Sequence, residues 1–268
     1  MKKNVLITGV AKGIGKAIAV KFLSEGYCVH GTFFKDKEKA IELQNQYGDN
    51  AVQLYGPFDF RKTQEVQAFL EIVKDVELDS IVCSAGIFNE NDDFNDFNLN
   101  IFNETMNCNF YAPLIITTGL RKNIKENGSI IIVSSNDAFS GAFSSMSYSI
   151  SKSALISLMK CLCVNYGEKN VRVNSVAPGA IDTDMNTPEQ MNIAPYFSPI
   201  ARVGNPVDIA NVVFFLASDA AGFISGENIT IDGGYSIMSV LLKSEANSEF
   251  SKNIQMFIKT QNQNKKQG

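Results

Sequence analysis

The sequence predicts an α/β fold, a doubly wound parallel sheet of about seven strands in a single domain. Three observations predict it. Short runs of β-branched and apolar residues alternate along the chain with longer segments of helical periodicity, as successive βαβ units require. The first run, Val5-Leu6-Ile7-Thr8, passes through the glycine turn Gly9-x-x-x-Gly13-x-Gly15 into a helical pattern carried by Ile18, Ala19, Phe22 and Leu23. Small or hydroxyl residues follow the ends of later runs, at Ala85-Gly86, Ser135 and Pro178-Gly179. That edge of an open sheet is where ligands gather.

The chain has 268 residues, 45% hydrophobic and 19% charged, which is ordinary for a globular domain with a sizeable core. A net charge of -4 gives no electrostatic reason to expect nucleic acid or an anionic membrane as partner. No apolar run approaches a membrane span, and Met-Lys-Lys-Asn leads into a short strand rather than a signal-peptide core, so the expected compartment is the cytoplasm. Cys28, Cys83, Cys108, Cys161 and Cys163 include no Cys-x-x-Cys pair and read as reduced, buried thiols, so no metal site is expected. His30 is the only histidine and lies in a predicted strand; a Ser-His-Asp hydrolase would have to be built around it alone.

Strand, glycine turn and helix form the context that a dinucleotide site needs. Gly9, Gly13 and Gly15 let the backbone approach a pyrophosphate, whose charge meets the amides of the first helical turn around Ile14. The second strand, residues 28–33, ends at the position that decides between cofactors. A carboxylate there bonds a ribose 2′-hydroxyl and repels a 2′-phosphate. The chain reads Thr32-Phe33-Phe34-Lys35, with no acid at the expected place around Phe33, while Lys12 and Lys35 could meet a phosphate. NADP(H) is therefore favoured with NAD(H) possible, and solvated surface charge is the competing reading of both lysines.

A helix over 37–47 precedes a strand near 52–55, and Asp59 either contacts the adenine or caps the helix over 63–73. The fourth strand ends in Ala85-Gly86, where a nicotinamide-side ribose could lie close to backbone. Residues 89–103 carry Asp92, Asp93 and Asp96 and read as a surface loop near the site mouth, a poor dock for a strongly acidic substrate. The helical pattern over 102–120 places Asn109 on an apolar face. A buried asparagine needs partners, so it bonds neighbouring backbone or holds a water.

Ile130-Ile131-Ile132-Val133 reads as a buried strand bounded by Gly128 and a serine pair, which puts Ser135 at its carboxyl end. Tyr148 and Lys152, four residues apart, share one helix face. A free phenol has a pKa of about 10 and an ammonium about 10.4, so neither alone works well at neutral pH. A fixed ammonium beside the phenol favours the phenolate, and a pyridinium charge adds to that shift. The pair could then exchange a proton with a carbonyl or alcohol near neutral pH while Ser135 holds the reacting oxygen. Taken alone, a Tyr-x-x-x-Lys pair is more simply a helix start, so the assignment rests on the other motifs. Ile150, Ala154, Leu155, Leu158 and Leu162 form a stripe for the core or a subunit interface. Pro178-Gly179 ends the sixth strand, and Ile181 and Thr183 follow, the threonine placed to bond the nicotinamide amide or a phosphate. Residues 186–204 hold three prolines and little periodicity, and read as a lid over apolar substrates or an ordinary loop. Asn205-Pro206 starts another helix, residues 228–234 supply the last strand, and the pattern weakens after Tyr235. The expected division is a catalytic domain over 1–237 and a partly amphipathic tail over 238–268, flexible at its end.

Together these motifs resemble the short-chain dehydrogenase/reductase family in its single-domain form, over residues 5–235. The glycine turn, Ser135, Tyr148-x-x-x-Lys152 and Pro178-Gly179 stand in the family's order and spacing. The resemblance implies a Rossmann-type fold and a nicotinamide-dependent oxidoreductase acting on CH–OH groups. It makes Tyr148 the general acid/base, Ser135 the residue that positions the carbonyl, and Lys152 the holder of the nicotinamide ribose. Asn109 would support a water in a proton relay. A basic residue at Lys12 goes with NADP preference, and a homotetramer or homodimer is implied, with the helices of Asn109 and Tyr148 packed across an interface. One departure puts strand-bracing hydrogen bonds in doubt: Cys83-Ser84-Ala85-Gly86 stands where the family usually has Asn-Asn-Ala-Gly.

Within the family the likeness is to 3-oxoacyl-carrier-protein reductases and to ketone or sugar-alcohol dehydrogenases. A carrier-protein substrate needs a basic patch at the mouth, for which Arg121, Lys122, Lys125, Lys169 and Arg172 are candidates. Two other classes use the same fold. A non-catalytic dinucleotide sensor has no need of the Ser/Tyr/Lys set. A nucleotide-sugar epimerase or dehydratase usually carries a larger substrate domain after the last motif.

Overall fold

The computed structural model describes residues 2–89, 92, 94–142 and 145–264. Its strands are β1 (Asn4–Ile7), β2 (Cys28–Thr32), β3 (Val52–Tyr55), β4 (Leu78–Cys83), β5 (Ile124–Val133), β6 (Arg172–Pro178) and β7 (Asn228–Ile231). Among the described residues they form one seven-stranded sheet in the order β3-β2-β1-β4-β5-β6-β7, every pairing parallel. The chain winds outward from β1 to β3, then returns to β4 on the other side of β1. That reversal opens a crevice beyond the carboxyl ends of β1 and β4.

Both faces of the sheet are covered, and the central strands alternate between two cores. Ile131 and Val133 of β5 pack with Ile18 and Phe22 of α1 (Gly13–Ser24) and with Val213 and Leu216 of α8 (Pro206–Ala217). Ile130 and Ile132 face the other way. They pack with Phe69 of α3 (Thr63–Val73), Ile116 of α5 (Ala112–Gly119), and Leu155 and Met159 of α6 (Met146–Tyr166). This two-sided burial explains the apolar run over 130–133, while the strand itself begins earlier, at Ile124, and passes through Gly128, which the sequence marked as its boundary.

The stripe on α6 divides. Leu155, Leu158 and Leu162, spaced by three and four, are buried, whereas Ile150 is exposed. The helical pattern over 102–120 is also not one helix. It is α4 (Leu99–Met106), a π turn over Asn107–Tyr111 and then α5. Pro113 has no N–H to give the carbonyl of Asn109 four residues earlier, and the turn widens so that the Ala112 N–H bonds the Asn107 carbonyl.

Residues 186–204 are more regular than their sequence suggests. They contain α7 (Pro188–Ile193) and a 3₁₀ turn over Ala194–Phe197. Thr187 and Gln190 cap α7 reciprocally, with Pro188 in the first turn, a start signal that the three prolines obscure. The tail forms α9 (Val240–Ala246) and α10 (Ser248–Asn264). Phe250 is buried, its ring edge-on to Phe197 at 6.0 Å between centroids. The expected flexible end at 265–268, the side chains of Phe257 and Ile258, and Asp93 lie outside the described residues.

Candidate active site

The glycine turn closes the amino side of the crevice. Gly9 has φ +79° and its N–H donates to the Thr32 carbonyl at 3.1 Å. Gly13 (φ +56°) begins α1, and a Cβ on Gly15 would stand 2.0 Å from the Gly9 carbonyl oxygen. Only glycine satisfies both conditions, and the resulting bare cradle at a helix N-terminus fits a dinucleotide pyrophosphate. Gly9 also lies against the next strand, where its Cβ would be 3.1 Å from the Ala85 Cα. The bracing that the missing amides put in doubt comes from Thr8. Its hydroxyl accepts from the N–H groups of Ser84 and Ala85, both at 2.9 Å.

At the end of β2, Phe33 is buried against Ala11 and Ala40, so the side chain belongs to a small core. Lys12 lies 3.3 Å from Asp36 and 3.7 Å from Asp184. Lys35 sits over the exposed Phe34 ring, with Arg61 near the same ring. Asp59 does not cap α3, whose N-cap is Lys62 without a side-chain bond. Its two carboxylate oxygens instead accept from Arg61 Nε and Nη2, both at 2.8 Å. Those charge-assisted bonds hold the Asp59 carboxyl below its ordinary pKa.

A cleft of about 870 Å³ occupies the crevice. Ile14, Gly86, Ser135, Tyr148, Lys152, Pro178, Gly179, Ile181 and Thr183 line it, so the fold brings these expected residues together across 169 positions of sequence, from 14 to 183. Gly9, Lys12, Gly13, Gly15, Phe33, Lys35, Asp59, Ala85 and Asn109 are not on its wall. Gly13 adjoins it through Thr183, whose Cγ2 would lie 3.4 Å from a Cβ there. Met185, Ile193, Phe197 and Ile200 give the far end an apolar surface.

Asn109 is fully buried in the π turn. Its Oδ1 accepts from the Ile87 N–H at 2.8 Å, and its Nδ2 donates to the Ile87 carbonyl and to Ser151 Oγ. The side chain therefore locks the segment after β4 to α6. Lys152 Nζ donates to the Val133 carbonyl at 3.0 Å and stands 5.4 Å from the centre of the Tyr148 ring. Ser135 Oγ accepts from the Asp137 N–H at 3.1 Å.

The titration of the pair departs from the expectation that the ammonium lowers the phenol. Burial pushes Tyr148 up to about 12, Asp137 adds to the rise, and a hydrogen bond from Ser135 works against it. Burial brings Lys152 down to about 8, opposed by Cys108 and Asp137. Both side chains are enclosed by the fold, and desolvation of the charged forms sets the direction of each. A pyridinium charge beside the phenol would act in the opposite direction.

Two residues that the sequence did not mark as functional act here. Asp92, expected on a surface loop, is buried and accepts from the Ser147 N–H at 2.5 Å and Ser147 Oγ at 2.7 Å. It caps the first turn of α6, one residue before Tyr148. Asp137 lines the cleft beside Ser135. Its place two residues after the strand-end serine was the one available signal.

The basic residues considered for a carrier protein lie elsewhere. Arg121 and Lys122 follow α5, Lys125 begins β5, and Lys169 and Arg172 lead into β6, all at the amino edge of the sheet. Lys169 donates to the Arg121 carbonyl, Arg172 to the carbonyls of Leu216 and Ser218, and Lys125 to Asp79. In a parallel sheet that edge faces away from the cleft, so they make no patch at its mouth. His30 bonds the Tyr55 phenol at 2.9 Å and is not on the cleft wall, which leaves Ser135 without a histidine. No helix among the described residues is long and apolar enough to cross a membrane.

A family profile described as Enoyl-(Acyl carrier protein) reductase matches residues 9–236. The 3-oxoacyl-[acyl-carrier-protein] reductase of Aquifex aeolicus is 36% identical over 243 residues, covering 87% of this chain and 96% of that protein. A versicolorin reductase of Emericella nidulans is 34% identical, covering 87% and 95%. Among solved structures, a short-chain dehydrogenase from Burkholderia cenocepacia J2315 in complex with NADP superimposes with a TM-score of 0.79 at 28% identity, covering 87% of this chain and 97% of that one. The profile match, the relatives matched along nearly their whole length and the shared doubly wound sheet agree with the motifs at the cleft, and the chain belongs to the short-chain dehydrogenase/reductase family, oxidoreductases acting on CH–OH groups.

Proposed function

We propose that this protein reduces a ketone to a secondary alcohol, or runs the reverse reaction, with NADP(H) in preference to NAD(H). One observation carries the reading: Ser135, Tyr148 and Lys152 converge on a single cleft beside a glycine cradle that a side chain would fill. When bound, the dinucleotide supplies the hydride that goes to the carbonyl carbon. Gly9, Gly13, Ile14 and Gly15 would hold its pyrophosphate, and Ala85 and Gly86 the nicotinamide ribose together with Lys152. Pro178, Gly179, Ile181 and Thr183 would line the nicotinamide, with Phe33 and Asp59 at the adenine end. The 2′-phosphate would meet Lys12 and Lys35. The NADP-bound relative supports this preference.

The Tyr148 phenol donates its proton to the carbonyl oxygen as the carbonyl is reduced, while the Ser135 hydroxyl holds that oxygen in line. A phenol raised to about 12 keeps its proton at neutral pH and suits the reductive direction. Lys152, close by, can restore the proton to Tyr148, and Asn109 fixes the helix that carries both. The substrate is a 3-oxoacyl thioester or a related ketone or sugar alcohol. Because the basic residues lie at the far edge of the sheet, a free ketone fits better than a carrier-bound one. Further expectations are a catalytic domain over 1–237 with a tail over 238–268, and a cytoplasmic setting that keeps the five thiols reduced. A homotetramer or homodimer would cover the exposed Tyr111, Ile150 and Val164.

The test is oxidation of NADPH against NADH over a panel of ketones with a 3-oxoacyl and an enoyl thioester, with Tyr148→Phe as control. The expected result is NADPH-dependent ketone turnover that falls by roughly 10²–10⁴-fold in Tyr148→Phe, with dinucleotide binding retained. Tight binding without turnover across the panel would support a sensor instead, and turnover of the enoyl thioester alone would replace carbonyl reduction by double-bond reduction.

A further inference from the structure

Asp137 is a carboxylate inside the cleft that proton transfer through Tyr148 does not use. It sits in the 3₁₀ turn over Asn136–Phe139, directly after the strand-end serine, and α6 pins that turn in place. Ser149 Oγ donates to the Asp137 carbonyl at 3.1 Å, and Ser153 Oγ donates to the Ala138 carbonyl at 2.7 Å. Both serines are within about one or two helical turns of Tyr148, so carboxylate and phenol are held by the same element. Among the described residues Asp137 forms no ion pair within 4.0 Å, and it shares the cleft wall with Ser135, Tyr148 and Lys152.

Placed there, the carboxylate acts on the cleft in two ways. It disfavours the phenolate, and it repels any substrate with negative charge near the reacting carbon. A neutral ketone with no donor gains nothing from it. A substrate with an O–H or N–H on the carbon beside the carbonyl gains a charge-assisted hydrogen bond while its carbonyl lies on Ser135 and Tyr148.

We propose that Asp137 is a specificity-determining residue that selects ketones bearing a hydrogen-bond donor, a hydroxyl or an ammonium, on the adjacent carbon. This rests on the ketone-reductase reading above and narrows its substrate class. It disfavours keto acids and ketones whose α-position is bare. Glu189 and Asp232 also line the cleft and the lining Arg202 is held by Asp208 at 2.7 Å, so among the described lining residues Lys152, which donates to the Val133 carbonyl, is the one cation outside an ion pair, against several carboxylates.

The test uses three ketones of equal shape: propiophenone, α-hydroxyacetophenone and α-aminoacetophenone. Each is reduced by the wild-type protein and by Asp137→Asn and Asp137→Ala, with dinucleotide dissociation constants as a control for folding. The expected result is a kcat/KM for a donor ketone at least about tenfold above propiophenone in the wild type, largely lost in Asp137→Ala. The ratio of donor-ketone to propiophenone kcat/KM should fall towards one in Asp137→Ala, whatever the change in the propiophenone rate itself. Preference for the hydroxyl or for the ammonium identifies which donor is selected. Equal rates on all three ketones, or an equal loss on all three in the variants, would overturn the role of Asp137 and leave ketone reduction standing. No turnover of any ketone by the wild type would overturn both.

Discussion

Lys12 shows how a single side chain can be legible by type and not by circumstance. Its position in the glycine turn marks it for a phosphate, but in the fold it shares its charge with Asp36 and Asp184, and Lys39 approaches the same Asp184 at 4.0 Å. Asp36 is close in sequence to the cofactor-deciding position, whereas Asp184 arrives from 172 residues away. A 2′-phosphate must compete with both carboxylates for the ammonium. Lys12→Ala is therefore expected to weaken NADPH binding by about tenfold and leave NADH within about twofold, measured by fluorescence titration. Equal weakening of both would mean that the ammonium supports the glycine turn rather than the phosphate. Tyr148 and Lys152 pose a similar problem. Their spacing predicts shared work, while the direction of each pKa follows from burial, which spacing does not reveal.

At the scale of elements, α6 carries the acid/base pair near its N-terminus, and the position of that turn depends on a residue outside the helix. Asp92 supplies the cap that Ser145 does not, since the Ser145 side chain makes no capping bond. Asp92→Ala should cost about 1–2 kcal/mol in urea unfolding, because it removes an N-terminal cap and a charge favourable to the helix dipole. It should also lower kcat more than it weakens dinucleotide binding, since Tyr148 follows the capped residue. An unchanged unfolding free energy would show that Ser147 finds another partner. Other elements were legible to different degrees. The helices over Lys37–Tyr47 and Thr63–Val73 agree with their sequence pattern to the residue, because each is a plain amphipathic run between turns. The run over 102–120 was misread as one helix because its apolar periodicity continues through a π turn, and only the proline hinted at the widening.

Over the whole molecule, burial decides the response to alkali. Cys83, Cys108, Tyr148 and Tyr166 are all pushed up to about 12, chiefly by desolvation. A thiol or phenol whose pKa is raised by folding holds its proton in the native state after the unfolded chain has lost it. The stability it contributes is complete below the unfolded value, 9.0 for the thiols and 10.0 for the phenols, and is lost as pH rises towards about 12. Lys152 acts with the opposite sign. Lowered to about 8 from 10.5, it penalises the fold below about 8, and that penalty is relieved as pH rises to 10.5. Tyr27, Cys28 and Tyr55 are raised by burial as well, so the groups lost outnumber Lys152, and the unfolding free energy is expected to fall by several kcal/mol between about pH 9 and about pH 11. Urea titrations at about pH 8, 9.5 and 11 check this, and a flat profile would mean that these side chains are hydrated in solution. On the acid side His30, lowered by burial from 6.5, adds a smaller loss as pH falls through that value, because the unfolded chain takes up the proton first.

The sequence by itself determined the fold class, the succession of strands and helices and the chemical set at the cleft. These depend on short-range backbone geometry: a helix turn separates Tyr148 from Lys152, a glycine turn joins strand to helix, and Ser135 follows a buried run. The tertiary structure alone decided which distant groups share an environment. It brought Asp92 under Ser147 and Asp137 beside Tyr148, replaced the missing amides with the Thr8 hydroxyl, and put the basic residues at the far edge of the sheet. It also set the protonation of the pair. Burial and long-range neighbours belong to the whole fold, and no local spacing encodes them.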